Sequence, residues 1–320
     1  MMNKKLAMLV AVPALSLSTT TFAADGAPKV FGNLNVGVTK VDSTTDIDGQ
    51  AFEAALGVKG AFNLDEYKLI YKLEAEFTDA VNNANGESEL EIKNAKVIMP
   101  SKYGTFVVAA RGESVQQLDM YKVIDIFEVN EANTSTLWGQ PDEASSVFAY
   151  KSPTFGNTYV STAVLTLNSS GTPDINNNDN DVDAFVMRAI YSDKQLYLGV
   201  GNVAISSDQT GASDTYHRST FTAGYKFAKA DIGLTWEHQG DHPSGSDSDV
   251  IGIATDIQLA NDWSLGLGYT DRDSENDARD DSATMVIVRK HLHKNLYAWA
   301  EAANYENSDN NYSVGINVRF

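Results

Sequence analysis

The sequence contains no cysteine, so disulfides hold no part of this fold together; hydrogen-bonded secondary structure and side-chain packing must do so. Proline is scarce, with seven in 320 residues, so long uninterrupted sheet ladders are permitted. Positive charge is also short: 24 Lys and Arg stand against 43 Asp and Glu, for a net charge of -19. That balance argues against nucleic acid, itself a polyanion, as a partner. Beyond the first residues no apolar run approaches the roughly 20 needed for a membrane helix. The five histidines, His217, His238, His242, His291 and His293, fall in no catalytic or metal-ligand motif. "HLH" at 291–293 puts two rings on one side of a strand, but at an expected short turn.

The opening residues have a separate purpose. Lys4 and Lys5, an apolar run from Leu6 to about Leu17 and a small-residue site at Ala23 form the secretory signal pattern, with residues 1–23 expected to be cleaved. Removing them takes two lysines, leaves 297 residues and moves the net charge from -19 to -21.

What fills the remainder is alternation. Val30, Leu34, Val36 and Val38 share one parity, and Asn33 and Asn35 take the other. Tyr67, Leu69, Tyr71, Leu73, Ala75 and Phe77 interleave with Lys68, Lys72, Glu74 and Glu76. Trp236 and Trp263 lie in similar runs, and the chain stops on Tyr312, Val314, Ile316, Val318 and Phe320 at every second place. A period of two means a strand with one apolar and one polar face. Sixteen such runs are expected, near 29–41, 51–62, 67–78, 89–99, 104–111, 146–152, 158–167, 183–191, 195–205, 216–227, 231–239, 249–259, 262–270, 283–291, 295–304 and 312–320. The links between them alternate long and short without a break, eight long and seven short, and every proline falls outside the runs. Helical patterning competes only within 112–133.

Two architectures satisfy this pattern. A soluble sandwich would turn the apolar faces together. An antiparallel transmembrane β-barrel would turn them outward to lipid and the polar faces to a wet lumen. An even strand number, alternating link lengths, aromatics near strand ends and charges on the polar parity (Lys68, Lys72, Glu74, Glu76, Arg188, Arg218, Lys226) favour the all-β, 16-stranded barrel. Hydrocarbon leaves no open sheet edge unpunished, so the last run must pair with the first.

A signal sequence, sixteen strands, a long third outer link and a terminal Phe resemble the general bacterial porins of Gram-negative outer membranes. "KNAKVIM" at 93–99, "GTFVVAARG" at 104–112 and "SVFAYKSPTFGN" at 146–157 look like that family's fourth, fifth and sixth strands. The resemblance implies residues 24–320 as one barrel, a homotrimer in the outer membrane contacting lipid and lipopolysaccharide, and passive diffusion of small hydrophilic solutes. It makes Tyr312, Val314, Ile316, Val318 and Phe320 the signal read by the barrel-assembly machinery. It implies no reaction, cofactor or metal.

The link at 112–145 spans 34 residues, far longer than the others, and a loop that long is normally functional. In porins the corresponding third extracellular loop folds inward and sets acidic residues against a basic wall. Carried over by position, Asp119, Asp125 and Glu128 are the acidic members of the constriction, and Lys93 and Arg111 the basic ones. Ala55 and Glu143 occupy positions that often carry arginine in the family, so the basic side is thin and cations are expected to be preferred. A sugar- or oligosaccharide-specific channel is the alternative, with Tyr297 and Trp299 forming either a lumenal stacking surface or part of a lipid-facing girdle; so is an adhesin or phage receptor built on the acidic links at 171–183 and 271–282. Those acidic runs match no calcium-loop spacing and are expected to be solvated and irregular.

Overall fold

The computed structural model describes residues 26–65, 67–82, 90–113, 117–130, 137–138, 143–166, 183–207, 214–243 and 245–320. The expected signal segment and most of the acidic run at 171–183 lie outside these. Sixteen strands form in chain order: β1 (Lys29–Val41), β2 (Asp48–Leu64), β3 (Tyr67–Glu76), β4 (Glu91–Ser101), β5 (Gly104–Glu113), β6 (Glu143–Lys151), β7 (Thr158–Leu165) and β8 (Ala184–Ser192). They continue with β9 (Leu196–Ile205), β10 (Tyr216–Lys226), β11 (Ala230–Gly240), β12 (Ser248–Gln258), β13 (Trp263–Ser274), β14 (Asp281–His293), β15 (Leu296–Tyr305) and β16 (Asn311–Arg319). Each pairs antiparallel with its sequence neighbours, and β16 returns to β1 to close the barrel.

The seam is a full ladder. Leu34, Val36 and Val38 face Val318, Ile316 and Val314, and Phe320 exchanges backbone hydrogen bonds of 3.0 and 3.1 Å with Gly32. The Phe320 ring lies where a Cβ on Gly32 would come within 2.5 Å of it, so glycine there makes room for the terminal aromatic.

The barrel is apolar outside. Val36, Phe148, Val200 and Ile253 are exposed, and Trp236 and Trp263 keep 40% and 44% of their surface open, which excludes a dry centre built around them. Among the described residues no helix is long and apolar enough to cross a bilayer; a closed barrel with every strand edge paired is the other form that can do so. Buried polar side chains, among them Arg188, Arg218, Glu237, Gln239 and Glu301, point inward.

Besides shifts of strand ends and a short helix, Thr78–Asn82, after β3, the structure departs from the sequence expectation in three places. Strand β6 begins at Glu143, three residues early, and pairs with Glu113, which shortens the third long link to 114–142. The expected irregular run at 271–282 is instead ordered: β13 continues to Ser274 and a 3-10 turn spans Asp277–Arg279. Its acidic side chains serve as turn acceptors, Asp280 taking the Ser274 N–H at 2.7 Å and Asp281 the Asn307 N–H at 2.8 Å. The third departure is the helical pattern in the long link, which yields one π-helical turn, Gln117–Tyr121.

Candidate functional site: the inner wall and the third long link

The described part of the third long link packs against the inner wall from β7 round to β1. Small residues on the inward parity make this seat. A Cβ on Gly233 would meet the Val123 carbonyl oxygen at 2.0 Å, one on Gly252 would meet Trp138 and Ile124 at 2.8 and 2.9 Å, and one on Gly268 would meet Phe127 at 2.6 Å. Gly224 and Gly266 stand likewise against Val123 and Ile126. Glycine in a strand interior marks a close approach of other groups, and here it leaves a track one side chain deep for the link.

Two polar anchors hold the link in that track. At its start Tyr121, fully buried, donates to Glu237, which also binds Arg218 (Nε–Oε1 2.9 Å) and Thr220 (2.8 Å). Arg218 and Gln239 each donate to the Trp138 carbonyl at 2.8 Å, drawing the far end of the link to the same place. Burial pushes the Tyr121 hydroxyl well above its ordinary pKa, so it stays a donor. The second anchor is Glu301 on β15. Its carboxylate accepts the backbone N–H groups of Glu128 (2.6 Å), Val129 (3.3 Å) and Asn130 (2.8 Å) and the Asn130 amide (2.6 Å).

The expected constriction residues divide into two groups. Lys93, Arg111, Asp125 and Glu128 come together around one aqueous cavity of about 610 Å³ between the link and strands β2 to β5. Asp119 does not join them. It lies against the wall of β7 to β9, accepting from Tyr159 Oη (3.1 Å) and Arg188 Nη1 (3.5 Å), while Tyr197 donates to its carbonyl (2.7 Å). Asp119 sits within the π turn, before the link reaches the cavity, and its side chain is directed at β7 and β8.

Other members of the cavity were not apparent from the sequence. Glu53, Glu76 and Glu91 interleave with the basic residues: Lys93 sits 2.9 Å from Glu76 and 3.6 Å from Glu53, and Arg111 pairs with Glu91. Arg289 and Arg319 supply positive charge from β14 and β16. Arg289 binds Glu128 at 3.1 Å and donates to the Ile126 carbonyl. Glu128 also accepts from Tyr297 (2.9 Å) and Asn35 (3.1 Å). The basic side is therefore fuller than the sequence implies, but its charges are largely neutralised where they stand. Period-two parity marks Glu53, Glu76, Glu91, Arg289 and Arg319 as inward, yet gives no depth along the barrel.

Beside Asp119, Lys122 lies 3.9 Å over the Tyr197 ring and Lys151 lies 3.5 Å over Tyr159. Desolvation holds the Lys122 amine below its usual pKa; Asp119 opposes this and the like charge of Lys151 adds to it. Among the described residues no group of three or more His, Asp or Glu side chains is placed to hold a metal.

Comparison with known proteins agrees with the barrel fold. Solved structures with the same fold include an anion-selective porin from Comamonas acidovorans (14% identity, TM-score 0.72, covering 92% of this chain and all of that one). OmpF of Salmonella typhi in complex with daunomycin gives 13% identity and a TM-score of 0.74 over 92% and 98% of the two chains. The trimer form of OmpT of Vibrio cholerae gives 16% and 0.65 over 93% and 100%. No curated protein matches by sequence similarity. The family model described as Gram-negative porin matches residues 6–310, nearly the whole chain. This closed, inside-out barrel belongs to the Gram-negative porins.

Proposed function

We propose that the chain forms a water-filled outer-membrane channel for passive diffusion of small hydrophilic solutes and ions, narrowed by residues 117–130, and that three copies assemble. The observation that carries this is the cavity between the link and β2 to β5: its lining is charged or amide-bearing apart from Phe52, Ile126 and Phe127. Such a lining suits hydrated solutes and offers no nucleophile with an adjacent base. Five carboxylates (Glu53, Glu76, Glu91, Asp125, Glu128) face four cations (Lys93, Arg111, Arg289, Arg319), which supports a slight preference for cations. Daunomycin in one relative and anion selectivity in another belong to those proteins.

The sugar-channel reading loses its stacking surface. Tyr297 and Trp299 do face inward, but only 8% and 4% of their surfaces are exposed, with Trp299 Nε1 bonded to Asn35 at 2.9 Å. We assign residues 1–23 as a cleaved export signal and the alternating segment from Tyr312 to Phe320 as the barrel-assembly signal. Lipopolysaccharide is the proposed neighbour of the long links, whose carboxylates would meet its phosphates through bridging divalent cations.

Reversal potential across a planar bilayer with a salt gradient tests the preference. A cation-favouring sign is expected, and an anion-favouring sign overturns it while leaving the pore intact. Three equal closing steps in single-molecule traces test the trimer.

A further inference from the structure

Charge in this barrel is separated along its axis. Excluding 114–142, the seven long links carry eighteen Asp and Glu against a single cation, Arg279. The described ones among them include Asp42, Asp46, Asp247, Glu275, Glu306 and Asp309. Strand ends on that side add Asp48, Asp249 and Asp273.

The opposite rim is basic. Its short links hold Lys102, Lys194, Lys229 and Lys294, all exposed, and adjoining strand ends add Lys151, Lys226 and Arg319. Asp65, Glu66, Asp193, Asp231 and Asp262 offset part of this.

The lumen follows the gradient more weakly. Glu53, Glu76 and Glu91 line the cavity toward the long links, where Lys93 and Arg111 pair with them, and Arg289 and Arg319 line it toward the short ones. Lys122 and Lys151 rest on tyrosine rings in that basic half and form no ion pair among the described residues.

We propose that the two mouths act as a cation-selective and an anion-selective zone in series, which makes the channel a current rectifier in dilute salt. The proposal rests on the reading that the barrel conducts. Fixed charge on a wall enriches its counter-ions within about one Debye length, roughly 30 Å at 0.01 M salt and 3 Å at 1 M. When the chamber facing the long links is positive, cations enter through the acidic mouth and anions through the basic one. Both accumulate in the narrow middle and conductance rises. Reversing the field draws both outward and depletes the middle, so conductance falls. The same field makes the pore least resistant to cations travelling from the acidic rim inward.

Single-channel current–voltage curves in symmetric salt test this. Because the chain has no cysteine, Ala228→Cys in an exposed short link, reacted with an impermeant thiol reagent from one chamber, reports the orientation of each channel. At 10 mM salt the current at +100 mV on the long-link side is expected to exceed that at -100 mV by about twofold, with the ratio near one at 1 M. Combined Lys102→Glu, Lys194→Glu, Lys229→Glu and Lys294→Glu changes, all on exposed turns, are expected to bring the ratio at 10 mM close to one and to strengthen cation preference. Folding of that variant is read separately from heat-dependent gel mobility. A straight line at 10 mM, the opposite polarity, or a ratio untouched by the four changes in folded protein overturns the rectifier while the pore stands. Absence of any conductance overturns the pore as well.

Discussion

Glu301→Gln removes one charge and leaves the side-chain shape unchanged, so it isolates the tether on the third long link. In the native barrel the carboxylate accepts four hydrogen bonds, three from consecutive backbone N–H groups, and only 4% of its residue surface is exposed. The amide keeps one acceptor oxygen, which serves Val129 and Asn130. It turns an NH₂ toward the Glu128 N–H, setting donor against donor. A buried donor left without an acceptor costs about 1–3 kcal/mol, and bonds to a neutral rather than an ionised acceptor are each weaker by about 1 kcal/mol. A net loss of about 3 kcal/mol for local release of residues 128–130 follows, which at 1.4 kcal/mol per decade is about a hundredfold. Hydrogen exchange by mass spectrometry in detergent micelles reads this directly: protection of the Glu128–Asn130 amides should fall by about two decades while the β14–β15 ladder is unchanged. Exchange in that segment equal to the parent protein would refute the tether.

Other consequences follow from the buried anchors and the ordered links. Arg218→Met alone leaves Glu237 buried and uncompensated and should destabilise the barrel by about 3–5 kcal/mol in urea titrations. Arg218→Met with Glu237→Met should recover most of that loss; no recovery would mean that shape, not charge, carries the anchor. His242, in the link between β11 and β12, lies 3.3 Å from Arg279 with its ring centroid 5.1 Å from that of Tyr216. Desolvation first, then Arg279, pushes its pKa down from 6.5 to about 4, with Asp247 opposing. Because the folded value lies below the free one, protonation works against the docked link, whose stability is complete above about pH 6.5 and declines as pH falls toward 4. An NMR titration of the imidazole should give a midpoint near 4, and a midpoint near 6.5 would show that the ring is not packed there.

Most of the sheet was legible because a β-barrel states its inside and outside residue by residue. Strands such as β1 and β9 lie within a residue of where alternation put them. The parity of Trp236 and Trp263 gave the lipid face correctly. Strand β15 resisted because its other parity is Ala298, Ala300 and Ala302, too small to declare a side, so Tyr297 and Trp299 had two readings. The site was harder. Glu301 meets Asn130 across 171 residues of sequence, and Arg289 meets Glu128 across 161. No local spacing encodes such meetings. Asp119 meets a different wall from Asp125, and position in a link says nothing about which wall a side chain reaches. One usable signal went unread. Gly224, Gly233, Gly252, Gly266 and Gly268 all fall on the inward parity of successive strands, where a hydrated lumen would be expected to carry polar side chains. A bare inner wall implies that something else covers it.

That bare wall has a practical corollary for anyone grafting parts between barrels of this kind. The link and its groove are a matched set, like a key cut for one lock. Transplanting 114–142 into a barrel with bulkier inner residues would leave it nowhere to rest, and a fatter imported link would not fit the space that Val123 and Phe127 fill here. Exchanges that carry the five glycines along with the link should succeed where the link alone fails.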